Sequence, residues 1–154
     1  GRYIGMVANI NCAMANPVPG DGFFTQQQVH FQLRRGKDSA LDANRAGGDN
    51  FRTEFRAVWE ANSGHYKWNA DYGYTRQADN AGYSPLLQNN LRRTASRHSL
   101  RLELSRPFPR SDTSSWASGG EMFISAETSR QNSNLTAFLS DQSALYIGVR
   151  WTLP

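Results

Sequence analysis

The sequence predicts an all-β fold of about seven antiparallel strands, on three observations. Apolar and polar residues alternate over most of the chain, which is the period of a strand and is incompatible with the 3.6-residue period of a helix. Clusters of Gly, Asn, Asp and Pro separate the alternating runs and predict turns. No window approaches the stretch of about 18 apolar residues that a transmembrane helix needs, so the sequence excludes such a helix.

The first four strands are predicted from the N-terminal half of the chain. In each, the apolar or aromatic residues occupy every second position and therefore share one face. The runs that define these faces are Ile4 to Cys12, Phe23 to Leu33, Phe51 to Trp59 and Tyr66 to Tyr74.

The last three strands are predicted from the C-terminal half. Leucines at 100, 102 and 104 alternate with Ser99, Arg101, Glu103 and Ser105, which is the clearest pattern in the chain. A sixth strand places Met122, Ile124 and Ala126 on one face. The seventh alternates Leu145, Ile147, Val149, Trp151 and Leu153 with polar residues and glycine.

The predicted connections differ in length. A tight turn at Asn62-Ser63-Gly64 lies between two long connections, residues 36–50 and 76–94. Successive antiparallel strands place every second connection at the same end, so we expect 36–50, 76–94 and 131–141 at one end and 13–22, 62–64 and 106–119 at the other. Pro85 and Asn89-Asn90 argue against an additional strand at 86–91.

Strand length and the placement of aromatic residues favour a membrane barrel over a soluble sheet, and the composition is compatible with one. The hydrophobic content of 38% and the mean hydropathy of −0.65 are low for a protein with a large core, but a transmembrane barrel needs only one apolar face per strand. The predicted strands reach about 10 residues, enough to cross a bilayer when tilted. Aromatic residues lie toward strand ends, as in the girdles of outer-membrane barrels: Phe51, Trp59, Tyr66, Trp68, Tyr72, Tyr74 and Trp151. A soluble sandwich remains an alternative, because it has the same alternation.

The last strand ends in Tyr146, Gly148, Trp151 and Leu153, which is similar to the C-terminal sorting signal of outer-membrane barrels. This resemblance implies recognition by the barrel-assembly machinery. Residues 97–108, 129–135 and 146–151 resemble the closing strands of large Gram-negative barrels that follow tetratricopeptide repeats, among them exopolysaccharide export porins and a phage adsorption receptor. That resemblance implies either a pore, with polysaccharide as one polymer it could export, or a surface receptor.

The strand count bears on domain organisation. Seven strands that end in the periplasm must begin outside the cell, whereas single-chain bacterial barrels have an even number of strands. We therefore interpret residues 1–154 as one barrel segment, the C-terminal part of a longer chain, with at least one strand before Gly1. Other strands of the same barrel are then its partners, together with outer-membrane lipid and lipopolysaccharide.

Charged residues on the polar faces are the candidate functional residues. We predict that they line a hydrophilic lumen: Arg52, Glu54, Arg56, Glu60, Lys67, Asp71, Arg101, Glu103 and Arg150. The net charge of +4 is scattered along the chain, which does not predict a nucleic-acid site. Aromatic residues in connections, Tyr83 and Trp116, could stack on sugars, although packing within their own loops is the simpler interpretation.

The sequence predicts neither a metal site nor a cofactor. His30, His65 and His98 lack Cys, Asp or Glu at metal-ligand spacing. A lipid A-modifying barrel enzyme would need His98 and Ser99 in one site, but adjacent strand residues point to opposite faces. We therefore expect a non-enzymatic pore or surface receptor in the bacterial outer membrane. The alternatives are a soluble all-β carbohydrate-binding module and, third, the lipid A enzyme.

Overall fold

Seven long strands form one antiparallel sheet. The computed structural model describes residues 2–15, 23–24, 26–40, 46–86, 88–108 and 120–151. Each strand pairs with its neighbours in sequence, which confirms the predicted all-β antiparallel class. The strands are β1 (Arg2–Ala15), β2 (Gln26–Ser39), β3 (Asn50–Ser63), β4 (Tyr66–Gly82), β5 (Arg92–Pro107), β6 (Gly120–Ser133) and β7 (Ser140–Trp151). Within these residues, no helix has the length and apolar character needed to span a membrane.

The strands extend further than the alternation predicts. They contain 12 to 17 residues, and the predicted connections 36–50, 76–94 and 131–141 were too long, because β2 continues to Ser39, β4 to Gly82 and β6 to Ser133. At its other end β2 begins later than predicted, because Phe23 and Phe24 precede its first residue, Gln26. Beyond the apolar residues, both strand faces are polar, so backbone pairing continues where side-chain alternation no longer signals it.

One register connects all seven strands. A single row of paired residues crosses the sheet through Cys12, Val29, Trp59, Ala70, Leu102, Ala126 and Leu145. The register shifts once, between Ala78 and Gly82 of β4. Because side chains alternate along each strand, this register places all the predicted apolar faces on the same side of the sheet.

The distribution of burial is the reverse of that in a soluble sheet. On the apolar face, Leu102 is 50% exposed and Ile147 is 77% exposed. On the polar face, Ser105, Ser125 and Ser129 are buried. Among the described residues, the buried hydrophobic side chains are only Ala61 and Leu135. The interior of this sheet is therefore polar.

The polar face is concave. Its side chains surround a cavity of about 730 Å³, to which β2 contributes Gln28 and β7 contributes Arg150. Strands that are five positions apart in the sheet thus line the same space, so the sheet curls toward its polar side. We refer to the polar and apolar sides as the concave and convex faces.

The sheet is not closed. β1 and β7 are its outermost strands, and each is paired on one side. With seven antiparallel strands in succession, β1 and β7 run in the same direction. Residues 88–90 form a 3₁₀ turn, with Asn89 and Asn90 at positive φ. The described part of the 86–91 segment therefore contains no strand, as the turn residues predicted.

Candidate functional site: the concave face

All nine predicted lumen-lining residues lie on the concave face. The register places the following residues on that side of β3, β4, β5 and β7: Arg52, Glu54, Arg56, Glu60, Lys67, Asp71, Arg101, Glu103 and Arg150. Seven of them, Glu54 and Arg52 excepted, border the 730 Å³ cavity. Strand parity was sufficient to bring these side chains together, because it decides the face of every residue in an unbroken register.

A cluster of four charged side chains and one hydroxyl joins β4, β5, β6 and β7. Arg150 contacts two carboxylates, Glu103 at 2.7 Å and Glu121. Lys67 approaches Glu121 at 3.8 Å, and the hydroxyl of Ser105 donates to the same carboxylate at 3.1 Å. The Glu103 side chain is only 9% exposed. Each carboxylate in this cluster therefore has cationic partners, as partly buried charges require.

Glu121 is a member of this cluster that the predicted lining set omitted. It lies on the same face of β6 as Phe123 and Ser125, directly across from Arg150 in the register. The alternation of the sixth strand placed it on the polar face. Its pairing with Arg150 depends on the register between β6 and β7, which the alternation within each strand does not give.

Further pairs continue the network along the concave face. The Arg56 guanidinium donates to both oxygens of Asp71, at 3.0 and 2.5 Å. Arg101 contacts Glu103 at 2.7 Å and donates to Ser125 at 3.1 Å. Three more contacts complete the network: Arg52–Glu54 at 2.5 Å, Arg34–Glu54 at 3.6 Å and Gln28–Glu60 at 2.7 Å. Charges of opposite sign alternate, so this wall is hydrophilic without carrying a strong field of one sign.

A buried ion pair lies beyond the cavity, near the end of the sheet where β4 and β5 are joined. Arg93 donates to both carboxylate oxygens of Asp79, at 3.0 and 3.1 Å, and the Asp79 side chain is 2% exposed. The guanidinium also lies against two rings, 4.9 Å from the centroid of Tyr83 and 4.8 Å from that of Phe138. Sequence reasoning missed this pair because it assigned both residues to a connection.

Tyr83 therefore packs within the connections. Its ring meets Phe138 edge to face, with centroids 4.8 Å apart, which agrees with the simpler interpretation of this aromatic residue. Trp116, the other candidate for sugar stacking, lies outside the described residues.

The histidines do not form a catalytic or metal constellation. His98 is on the convex face, where its Nδ1 lies 2.9 Å from the Tyr72 hydroxyl. Ser99 is on the concave face and approaches the Gly73 carbonyl at 3.5 Å. The two candidate residues of the lipid A enzyme thus point apart, as strand geometry predicted. Over the described part of the chain, no group of three His, Cys, Asp or Glu residues could hold a metal ion.

The residues of the predicted assembly signal are distributed over both faces of β7. Tyr146 and Gly148 are concave and Trp151 is convex, while Leu153 lies outside the described residues. Gly148 faces Phe123 of β6, whose ring would be 2.9 Å from a Cβ added at this glycine. Gly148 therefore has a packing role: it leaves room for the Phe123 ring.

Comparisons of the chain with protein-family models, with curated proteins and with solved structures found no match.

Proposed function

We propose that the chain forms part of the wall of a Gram-negative outer-membrane β-barrel, and that its concave face lines a hydrophilic pore or receptor lumen. The observation that carries this proposal is the reversed burial of the sheet. Leucine, isoleucine and aromatic side chains are exposed on the convex face, while serines are buried and the carboxylates of the ion pairs are buried or half-buried on the concave face. In water this arrangement leaves the hydrophobic effect unused; in a bilayer the exposed face contacts lipid.

The apolar residues of the convex face form a band across the sheet, from Ile4 to Cys12 on β1 to Leu145 to Trp151 on β7, which we call the apolar belt. The tilt of this belt relative to the strands supports the proposal. The belt begins at Ile4 on β1 and at Leu145 on β7, and Leu145 shares a register row with Cys12. The belt thus shifts by about eight residues (from 4 to 12) over six steps between strands. With about 3.3 Å per residue and about 4.8 Å between strands, it crosses the strands at about 40° from the perpendicular. Barrel strands tilt by about 35–45° in a membrane.

The order of side chains across the belt also fits a bilayer. The edge of the belt that contains Ile4 and Leu145, here called the upper edge, shifts by about 1.3 residues from each strand to the next. Measured from this shifted edge, three tryptophans lie about five to six residues into the belt: Trp59, Trp68 and Trp151. Aliphatic residues such as Leu102 and Ile124 lie between. The belt is about eight residues high, or about 20 Å along the membrane normal, close to the roughly 25 Å apolar band of outer-membrane barrels. The tryptophans thus lie in the lower third of the belt, where their rings point toward the headgroup level.

The chemistry of the concave face favours a conduit for a hydrophilic ligand over a catalytic site. Paired charges and amides can exchange hydrogen bonds with a polar polymer as it passes. Because each charge already has a partner in the protein, no single charge holds the polymer strongly. Export of polysaccharide suits such a wall, and so does a surface receptor. In this proposal the end of β7 acts as the assembly signal, and further strands of the same barrel pair with β1 and β7.

Detergent dependence tests the proposal. Purified protein is expected to require detergent above its critical micelle concentration to stay monodisperse, and to insert into phospholipid vesicles as heat-stable β-structure measured by circular dichroism. A monodisperse, folded protein in buffer without detergent would contradict the membrane assignment. That result would favour the soluble carbohydrate-binding module.

A further inference from the structure

A row of basic side chains lies on the convex face, just beyond one edge of the apolar belt. Its members, which we call the cation band, are Arg35, Lys37, Arg76, His98 and Arg130. Arg35 is two residues beyond Leu33, Arg76 two beyond Tyr74, and His98 two before Leu100. The register places Arg35 and Arg76 in one row, Lys37 one row farther out, and His98 and Arg130 one row nearer the belt, so these residues of β2, β4, β5 and β6 lie within three adjacent rows.

The cation band is short of internal counter-charges. Among the described residues, no carboxylate lies within ion-pair distance of Arg35, Arg76 or Arg130, all of which are exposed. Lys37 pairs with Asp49 at 2.6 Å. Along the convex side of the described strands, Asp141 is the one carboxylate; it is opposite Arg130 in the register, beyond salt-bridge distance.

On the concave face, in contrast, most arginines have carboxylate partners. Six of its arginines are paired with carboxylates: Arg34, Arg52, Arg56, Arg93, Arg101 and Arg150. The other edge of the convex belt carries Arg106, whose guanidinium lies 5.5 Å from the Tyr66 ring. Unpaired convex cations are thus concentrated at one edge of the belt.

We propose that the cation band binds the phosphate groups of a lipopolysaccharide-type glycolipid in the outer leaflet. This inference rests on the proposed function, because it takes the convex belt as the lipid contact. The band lies at the end of the sheet where β2 meets β3 and β4 meets β5, opposite the two-residue turn between Ser63 and Tyr66. Tight turns of outer-membrane barrels face the periplasm, so the band faces the cell exterior. Guanidinium groups bind phosphate oxygens through two parallel hydrogen bonds.

The test uses the full chain in a neutral detergent, titrated with lipid A and with enzymatically dephosphorylated lipid A. We expect lipid A to bind at least tenfold more tightly than its dephosphorylated form, measured by native mass spectrometry. The triple variant Arg35→Gln/Arg76→Gln/Arg130→Gln is expected to abolish that preference. The corresponding triple lysine variant, which keeps the charge, is expected to remain within about threefold of the unmodified protein.

The matched control is Arg34→Gln/Arg52→Gln/Arg97→Gln, which removes three charges near the same end but from the concave face. It is expected to keep the preference, and the melting temperature in detergent reports whether each variant folds. Equal affinity for the two lipids, or loss of preference only in the concave variant, would overturn the inference. A detergent-requiring protein without lipid preference would leave the proposed function standing, whereas folding without detergent would contradict the function itself.

Discussion

Buried serines lie beneath the long charged side chains of the concave face. The Arg101 guanidinium donates to Ser125 at 3.1 Å, and Arg97 donates to Ser129 at 3.0 Å. Both serines are buried. A small hydroxyl at these positions gives the larger side chain room to cross the strand and also accepts one of its hydrogen bonds. The sequence predicted the charged residues by strand parity, but a serine on a polar face carries no signal that identifies it as a support.

Replacing Asp79 by Asn tests the buried ion pair. The change keeps the shape of the side chain but leaves the Arg93 guanidinium, 17% exposed, without its anionic partner. We expect the free energy of unfolding in detergent to fall by about 3 kcal/mol, the lower end of the range for breaking a buried pair. Urea titration followed by tryptophan fluorescence measures this change.

Arg34→Gln is the control for that experiment, because Arg34 is 45% exposed and lies 3.6 Å from Glu54. Its loss is expected to cost at most about 1 kcal/mol, as is usual for exposed ion pairs. Equal destabilisation by both changes would show that the Asp79–Arg93 pair has no special structural role.

At the scale of the strand, the sequence predicted the faces but not the ends. The pattern at Leu100, Leu102 and Leu104 gave the face of every residue in β5 correctly. The true start of that strand, Arg92, was missed. A face is decided by local alternation, whereas an end depends on how far the neighbouring strand offers backbone partners. The outcome was the same for β2, where Lys37 and Asp38 continue the ladder opposite β3.

Adjacent positions on β5 give opposite predictions. Leu102→Arg places a charge on the exposed convex face near the middle of the belt, and is expected to weaken membrane insertion by about 2–4 kcal/mol. Arg101→Leu removes the contact with Glu103, which keeps Arg150 at 2.7 Å, and the hydrogen bond to Ser125, so the loss is expected to be about 1 kcal/mol. Folding yield into vesicles, measured by protease protection, compares the two. Tolerance of Leu102→Arg together with failure of Arg101→Leu would reverse the assignment of the faces.

For the whole molecule, register is what turns separate strands into a tilted belt. Each strand alone shows only which residues share a face, and the offset between Ile4 and Leu145 becomes visible once the ladders connect them. The curvature that brings Gln28 and Arg150 to one cavity is likewise a property of the sheet. Neither could be predicted from alternation, because both depend on pairing between residues far apart in the chain.

Spin-label accessibility along β5 tests most directly whether the convex face contacts lipid. Nitroxides would be placed singly at positions 100 to 105 of a Cys12→Ser background, since Cys12 is exposed and would also react, and the protein reconstituted into vesicles. Lipid contact by the convex face predicts that labels at 100, 102 and 104 are relaxed by oxygen, which partitions into lipid, and labels at 101, 103 and 105 by a water-soluble nickel chelate. Preferential relaxation of the even positions by the nickel chelate, or no alternation between the two sets, would contradict it.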